Sequence, residues 1–203
     1  MAIIRRQEPD PVSVEWTEGR IGSLLNTHLF RRDYLVVVPN CHFASYEADL
    51  LAVSKNLRLV DVEIKISRSD LKADAKKGKW QGGDRWEFCD QEKRHVRAGT
   101  WSTDWPPRIW KHYYAMPAEI WKDELFECLP SEKSGVLLLR HDGMHFICRV
   151  HRPAKPQRNA ATLTNEEVVN VARLASLRMW SVIEKREPAP PAKEEAEADD
   201  WAI

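Results

Sequence analysis

The chain has 203 residues, 43% hydrophobic and 31% charged, with a formal net charge of zero. That suits a soluble globular protein with a real core. No apolar run reaches the roughly 18 residues a membrane-spanning helix needs, and "MAIIRRQEPD" lacks the apolar stretch of a signal peptide. The four cysteines (Cys41, Cys89, Cys128, Cys148) show no CxxC spacing, so reduced thiols in a cytoplasmic protein are expected.

The zero charge conceals an asymmetry. Residues 187–203 hold six acidic groups and one lysine, which leaves 30 basic against 25 acidic residues in the first 186, a balance of +5. That balance is compatible with a nucleic-acid partner.

In chain order, "TEGRIGSLLNTHLF" places Ile21, Leu24, Leu25 and Leu29 on one helical stripe, with Thr17 as its N-cap. "YLVVVP" predicts a short buried strand ended by Pro39. "YEADLLAVS" and "LRLVDVEIKIS" predict two strands joined through a polar turn at Lys55-Asn56. Ser67, with Asp70 three residues on, opens the helix "RSDLKADAKK". Residues 78–109 read as an irregular, Trp-rich insert. "WKHYYAMP" resumes strand character, "AEIWKDELFECLP" predicts a short amphipathic helix, and "GVLLLR" and "HFICRVH" flank the Asp-Gly of a hairpin. A long amphipathic helix follows, capped by Thr164 or Asn165, and the Pro-rich acidic end 187–203 is expected to be disordered. The order predicts one α/β domain over 1–186, a sheet covered by helices on its faces.

The chemistry concentrates in "DVEIKIS". Asp61, Glu63 and Lys65 project from one side of this strand, and Val62, Ile64 and Ile66 from the other. On the preceding strand Glu47, Asp49, Leu51 and Val53 share one face, and Ala48, Leu50 and Ala52 the other. Pairing through the turn brings Asp49 near Glu63. Two carboxylates brought together repel, and a divalent cation turns that repulsion into coordination. A metal held by Asp49 and Glu63, with Lys65 hydrogen-bonding its water or a phosphate, suits phosphodiester hydrolysis. The alternative from spacing alone is a structural Glu63–Lys65 ion pair.

The stretch "EADLLAVSKNLRLVDVEIKISRSDLKAD" resembles the core motif of the PD-(D/E)xK nuclease superfamily: an acid on one strand, then acid-x-Lys on the next. More narrowly it is similar to MmcB-like DNA-repair proteins of bacteria, closely over about residues 46–74 and loosely beyond. The resemblance implies a restriction-endonuclease-like fold, a mixed central sheet flanked by helices, and Mg²⁺-dependent cleavage of DNA, with Mn²⁺ able to substitute. It assigns Asp49 and Glu63 as the motif acids and Lys65 as the motif lysine, with Ile64 between them counted in the metal set. Glu18, or else Glu15, would be the glutamate near the start of the first helix. Ala48 stands where the name-giving proline would be.

Arg68, Lys72, Lys76, Lys77 and Lys79 crowd the segment after the motif strand and are candidate phosphate contacts. Trp80, Trp86, Trp101 and Trp105 could stack on unpaired bases, though packing of the insert is the favoured reading. The expectation is a DNA endonuclease in bacterial or phage repair or processing. The other reading is a nuclease-fold module that binds DNA or recruits a partner without catalysis. Two-fold cleavage of duplex DNA would suit a homodimer, and the acidic tail would suit a protein partner.

Overall fold

The computed structural model describes residues 14–43, 46–81, 83–89, 94–101, 105–106 and 108–186. The acidic end, with its expected disorder and protein partner, lies outside the described residues, as do the side chains of Trp86 and Trp101. Helix α1 (Glu18–Leu25) starts at Thr17, whose hydroxyl accepts the Arg20 N–H at 3.2 Å, and runs into a π-helical turn at Asn26–Phe30. Three strands follow: β1 (Tyr34–Phe43), β2 (Tyr46–Ser54) and β3 (Leu59–Ile64). The β2–β3 turn holds Leu57 at φ 55°. Helix α2 (Arg68–Asp74) is capped by Ser67, and the one-turn α3 (Gly78–Gln81) succeeds it.

The insert is more regular than expected. Strands β4 (Gly83–Cys89) and β5 (Arg94–Trp101) pair as an antiparallel hairpin. Alternation of polar and apolar residues is weak there, so periodicity gave no strand signal. Strand β6 (Ile109–Pro117) returns to the sheet. The amphipathic segment after it forms 3₁₀ turns (Ala118–Ile120, Asp123–Cys128) instead of an α-helix. The hairpin of β7 (Gly135–His141) and β8 (Phe146–Arg152) turns at Gly143, φ 92°. Helix α4 (Asn165–Arg186) opens with a reciprocal box: Thr164 Oγ1 accepts the Glu167 N–H, and the Glu167 carboxylate accepts the Thr164 N–H.

The main sheet has the order β1-β2-β3-β6-β7-β8. Pairs β1–β2, β2–β3 and β7–β8 are antiparallel, while β3–β6 and β6–β7 are parallel. Helices cover both faces. Ile21, Leu25 and Phe30 pack on Leu50, Ala52, Val60, Val62, Ile64 and Ala115. On the other face Leu51, Val53, Leu59, Tyr114 and Met116 pack with Leu71, Trp80, Trp105, Leu163 and Val171. The mixed sheet flanked by helices is therefore as expected.

Strand β1 does not stop at Pro39. It sits at the sheet edge, where proline is tolerated. Asn40, at φ 46°, and Asp49 fall between the registered pairs Pro39–Leu50 and Cys41–Ala48. The side-chain alternation shifts there, because Ala48 and Leu51 pack in the same core. The carbonyl of Asn40 accepts from Arg178 of α4.

Candidate functional site

Register puts the charged face of β3 against β6: Asp61 pairs with His112, and Glu63 with Tyr114. Lys65 extends the ladder, its N–H reaching the Ala115 carbonyl at 2.9 Å. The helical segment after the motif strand closes over this face. Leu71 and Asp74, three apart on α2, both turn inward.

The result is a buried ionic cluster. Asp61, Glu63, Asp74, Lys65, Lys79 and His112 are each at most 5% exposed. Lys65 Nζ lies 3.1 Å from Glu63 Oε2, 3.0 Å from Asp74 Oδ1 and 3.8 Å from Asp70. Lys77 Nζ bridges Glu63 Oε2 and Asp74 Oδ1 at 2.9 Å each. Lys79 Nζ pairs with Glu63 Oε1 and lies 3.5 Å from Asp61 Oδ2. Tyr114 donates to Asp74 Oδ2 at 2.6 Å, Trp80 Nε1 to the same oxygen at 3.1 Å, and Tyr46 to Asp61 Oδ2 at 2.8 Å. Asp61 Oδ1 has no hydrogen-bond partner among the described residues.

Three carboxylates thus face three ammonium groups, and the protonation states follow. Burial pushes the Glu63 carboxyl up, but Lys79 and Lys65 outweigh it and hold it below its ordinary value. Asp74, also desolvated, is held far lower by Lys79 and Lys65 together with the Tyr114 hydroxyl. Lys65 is raised, because Glu63 and Asp74 overcome its burial. Burial carries Asp61 up to about 6 despite Lys79. Burial and the neighbouring lysines drive His112 well below its usual range, so its imidazole is neutral.

Asp49 faces elsewhere. Its Oδ2 accepts the Ile64 N–H at 2.7 Å, and it lines a cleft of about 380 Å³ with Glu18, Asn26, Asn40 and Ile64, between α1 and the β1–β3 strands. Burial and the Glu63 charge raise its carboxyl to about 6. The strand register does bring Asp49 alongside β3, as the sequence predicts. The alternation shift at Asn40 turns its side chain to the α1 side, whereas the expected shared face would have joined it to Glu63. Glu18 reaches the same cleft, while Glu15 is exposed and offers its backbone carbonyl to Arg20.

The expected phosphate contacts divide. Lys72 and Lys76 are exposed, as a contact requires. Arg68 is exposed, but its guanidinium donates to the Ile120 carbonyl at 2.6 Å. Lys77 is half-exposed with its ammonium turned inward. Lys79 is buried and is no surface contact, because its charge completes the carboxylate cluster. Trp80 and Trp105 are buried packing residues. Sequence reasoning missed Asp74, His112, Tyr114 and Tyr46 as parts of the site. The inward spacing of Leu71 and Asp74 was the one local signal available for them.

Glu18 and Asp49 offer the oxygen donors a hard divalent ion prefers. Glu63 as placed does not fit that role, because both its oxygens already take ammonium groups. Among the described residues no three of His, Cys, Asp and Glu stand together as metal ligands.

No family model and no curated protein matches the chain. Among solved structures, a protein of unknown function from Silicibacter pomeroyi is similar in fold. Its TM-score is 0.50 at 18% identity, covering 90% of this chain and 100% of that one. No described helix is long and apolar enough to cross a membrane.

Proposed function

We propose that the chain is a metal-dependent DNA nuclease of the PD-(D/E)xK type, an endonuclease of bacterial or phage DNA repair or processing, working in the cytoplasm. One observation carries this reading. Glu18 from α1 and Asp49 from β2 line one cleft beside Ile64, whose chain neighbours Glu63 and Lys65 turn to the opposite face of the sheet. The order helix, three strands, helix, strand, with β6 pairing parallel to β3, supports the restriction-endonuclease-like assignment.

Within that reading each residue has a task. Lys65, fixed between Glu63 and Asp74, is kept protonated and holds these carboxylates behind Ile64, on the side of the strand away from the cleft. Asp49, once ionised, attracts cations and orients the nucleophilic water. Glu18 lines the cleft opposite and would assist. Lys72 and Lys76 would contact the backbone. Magnesium, or manganese in its place, would supply Lewis acidity.

Plasmid nicking with and without Mg²⁺ tests the proposal. The wild type should cut only with the ion, and Asp49→Asn and Lys65→Met should each lose about 100-fold or more. Cutting without divalent ions, or undiminished in both variants, would refute it. A second reading, a nuclease-fold module that binds DNA without cleaving it, draws on the full neutralisation of Glu63 by lysines. DNA binding with no cleavage under any divalent metal would select it.

A further inference from the structure

Exposed apolar residues are not spread evenly over the surface. Of the ten large apolar side chains that stand exposed among the described residues, six lie on α4: Val169, Leu177, Met179, Trp180, Val182 and Ile183. Scattered singly they would need no explanation, but a run along one helix marks a contact surface. Spacing sorts them. One stripe, Val168, Val171 and Ala175, packs on the core, and Arg178 continues it to the Asn40 carbonyl. A second stripe, Val169, Ala172, Ser176, Met179 and Ile183, is exposed along its whole length. Each of its members stands one residue past the first stripe's spacing, so it lies roughly 100° round the helix from the core. Its steps alternate between three and four residues, the pattern of a seam by which one helix packs on another.

The shape of this seam selects its occupant. Ala172 and Ser176 are small, whereas Met179 and Ile183 are large. Laid antiparallel on a second copy of itself, the seam sets Ala172 against Ile183 and Ser176 against Met179, so every slot receives a knob. A parallel alignment sets Ala172 on Ala172 and Ser176 on Ser176, and leaves a gap. The antiparallel register also carries the exposed Arg173 to the flank where Trp180 and Glu184 of the second copy stand. Two-fold symmetry makes that contact twice. We infer that α4 is a homodimerisation surface, pairing antiparallel with α4 of a second copy of this chain. A seam of two heptads falls at the low end of interface sizes, below roughly 1,200 Å², so the dimer is a weak one. The inference goes beyond the nuclease reading and does not rest on it.

Sedimentation equilibrium of the full chain, from about 1 to about 300 μM, tests it. The wild type should pass reversibly from monomer to dimer. Met179→Lys should weaken pairing about tenfold or more. Arg173→Glu should weaken it severalfold, and adding Glu184→Arg should restore it, because the swap preserves the contact at two exposed positions. A chain that stays monomeric throughout would overturn the inference, as would a dimer indifferent to Met179→Lys or a double swap without recovery. In a monomer, hydroxyl-radical oxidation of Met179 would identify the other occupant. Protection lost on removal of residues 187–203 would assign the stripe to that segment, and no protection in either form would assign it to a different protein. Asp49→Asn should pair like wild type, so loss of nicking and loss of pairing are separate results.

Discussion

The two faces of β3 are buried to the same degree by opposite means. Toward α1, Val60, Val62 and Ile64 are at most 3% exposed among aliphatic neighbours, and the stabilisation there is removal of apolar area from water. Toward α2 and β6, Asp61, Glu63 and Lys65 are at most 2% exposed, and nothing apolar stabilises their charges. They persist because each ammonium meets at least two carboxylates and because Tyr46 donates to Asp61 Oδ2, and Trp80 and Tyr114 to Asp74 Oδ2. The apolar face degrades gradually when one group is removed. The ionic face loses its balance at once, because one deletion leaves a buried charge without its counterpart.

Substitutions can break or sharpen this contrast. Asp74→Ala, which strips Lys65 and Lys77 of a shared partner, should cost about 3–5 kcal/mol by denaturant unfolding. Val62→Ala, on the opposite face, should cost about 2 kcal/mol. A larger loss at Val62 than at Asp74 would contradict the distinction.

Acidification probes the ionic face alone. His112 is neutral in the folded chain, its pKa driven below the ordinary value. The unfolded chain takes up a proton near pH 6.5, so the stability tied to this imidazole is complete above that pH and is lost as the pH falls. Asp61 works in the other direction. Its folded pKa of about 6 exceeds the unfolded one, so folding gains as the pH falls from about 6 toward 4. His112→Gln should therefore remove up to about 2 kcal/mol of acid sensitivity between pH 7.5 and 5, measured by urea unfolding at both. An unaltered pH slope would contradict a neutral His112.

The smallest effects belong outside the cluster. Lys72→Ala and Lys76→Ala should each change stability by no more than about 0.5 kcal/mol. Each should also lower the salt slope of DNA binding by about one if the residue touches phosphate. An unchanged slope in both would remove α2 from the DNA-contacting surface.

Much of this could be read from the sequence. The period-two alternation of "DVEIKIS" located β3 and its two faces, and Ser67 and the Thr164-Asn165 pair located two helix starts. The short turn after β2 gave the β2–β3 register. Less legible was what depends on tertiary approach. Asp74 looked like a solvated helix residue, because nothing local says that α2 lies over the charged face. Lys79 looked like a surface cation for the same reason. His112 and Tyr114 join the site through a parallel pairing across an insert, which no neighbouring residue announces. The direction of Asp49 was misjudged because a departure from alternation at Asn40, on the adjacent strand, cannot be seen from "YEADLLAVS" itself.

The kinked outer strand has one further consequence. A row of free amides along a sheet margin is a template on which another molecule can polymerise. Here the margin is interrupted at its middle, since Pro39 has no amide hydrogen and Asn40 bends the chain while Arg178 claims its carbonyl. Asn40, which turns Asp49 toward the cleft, thus also interrupts the row of pairing groups on this margin.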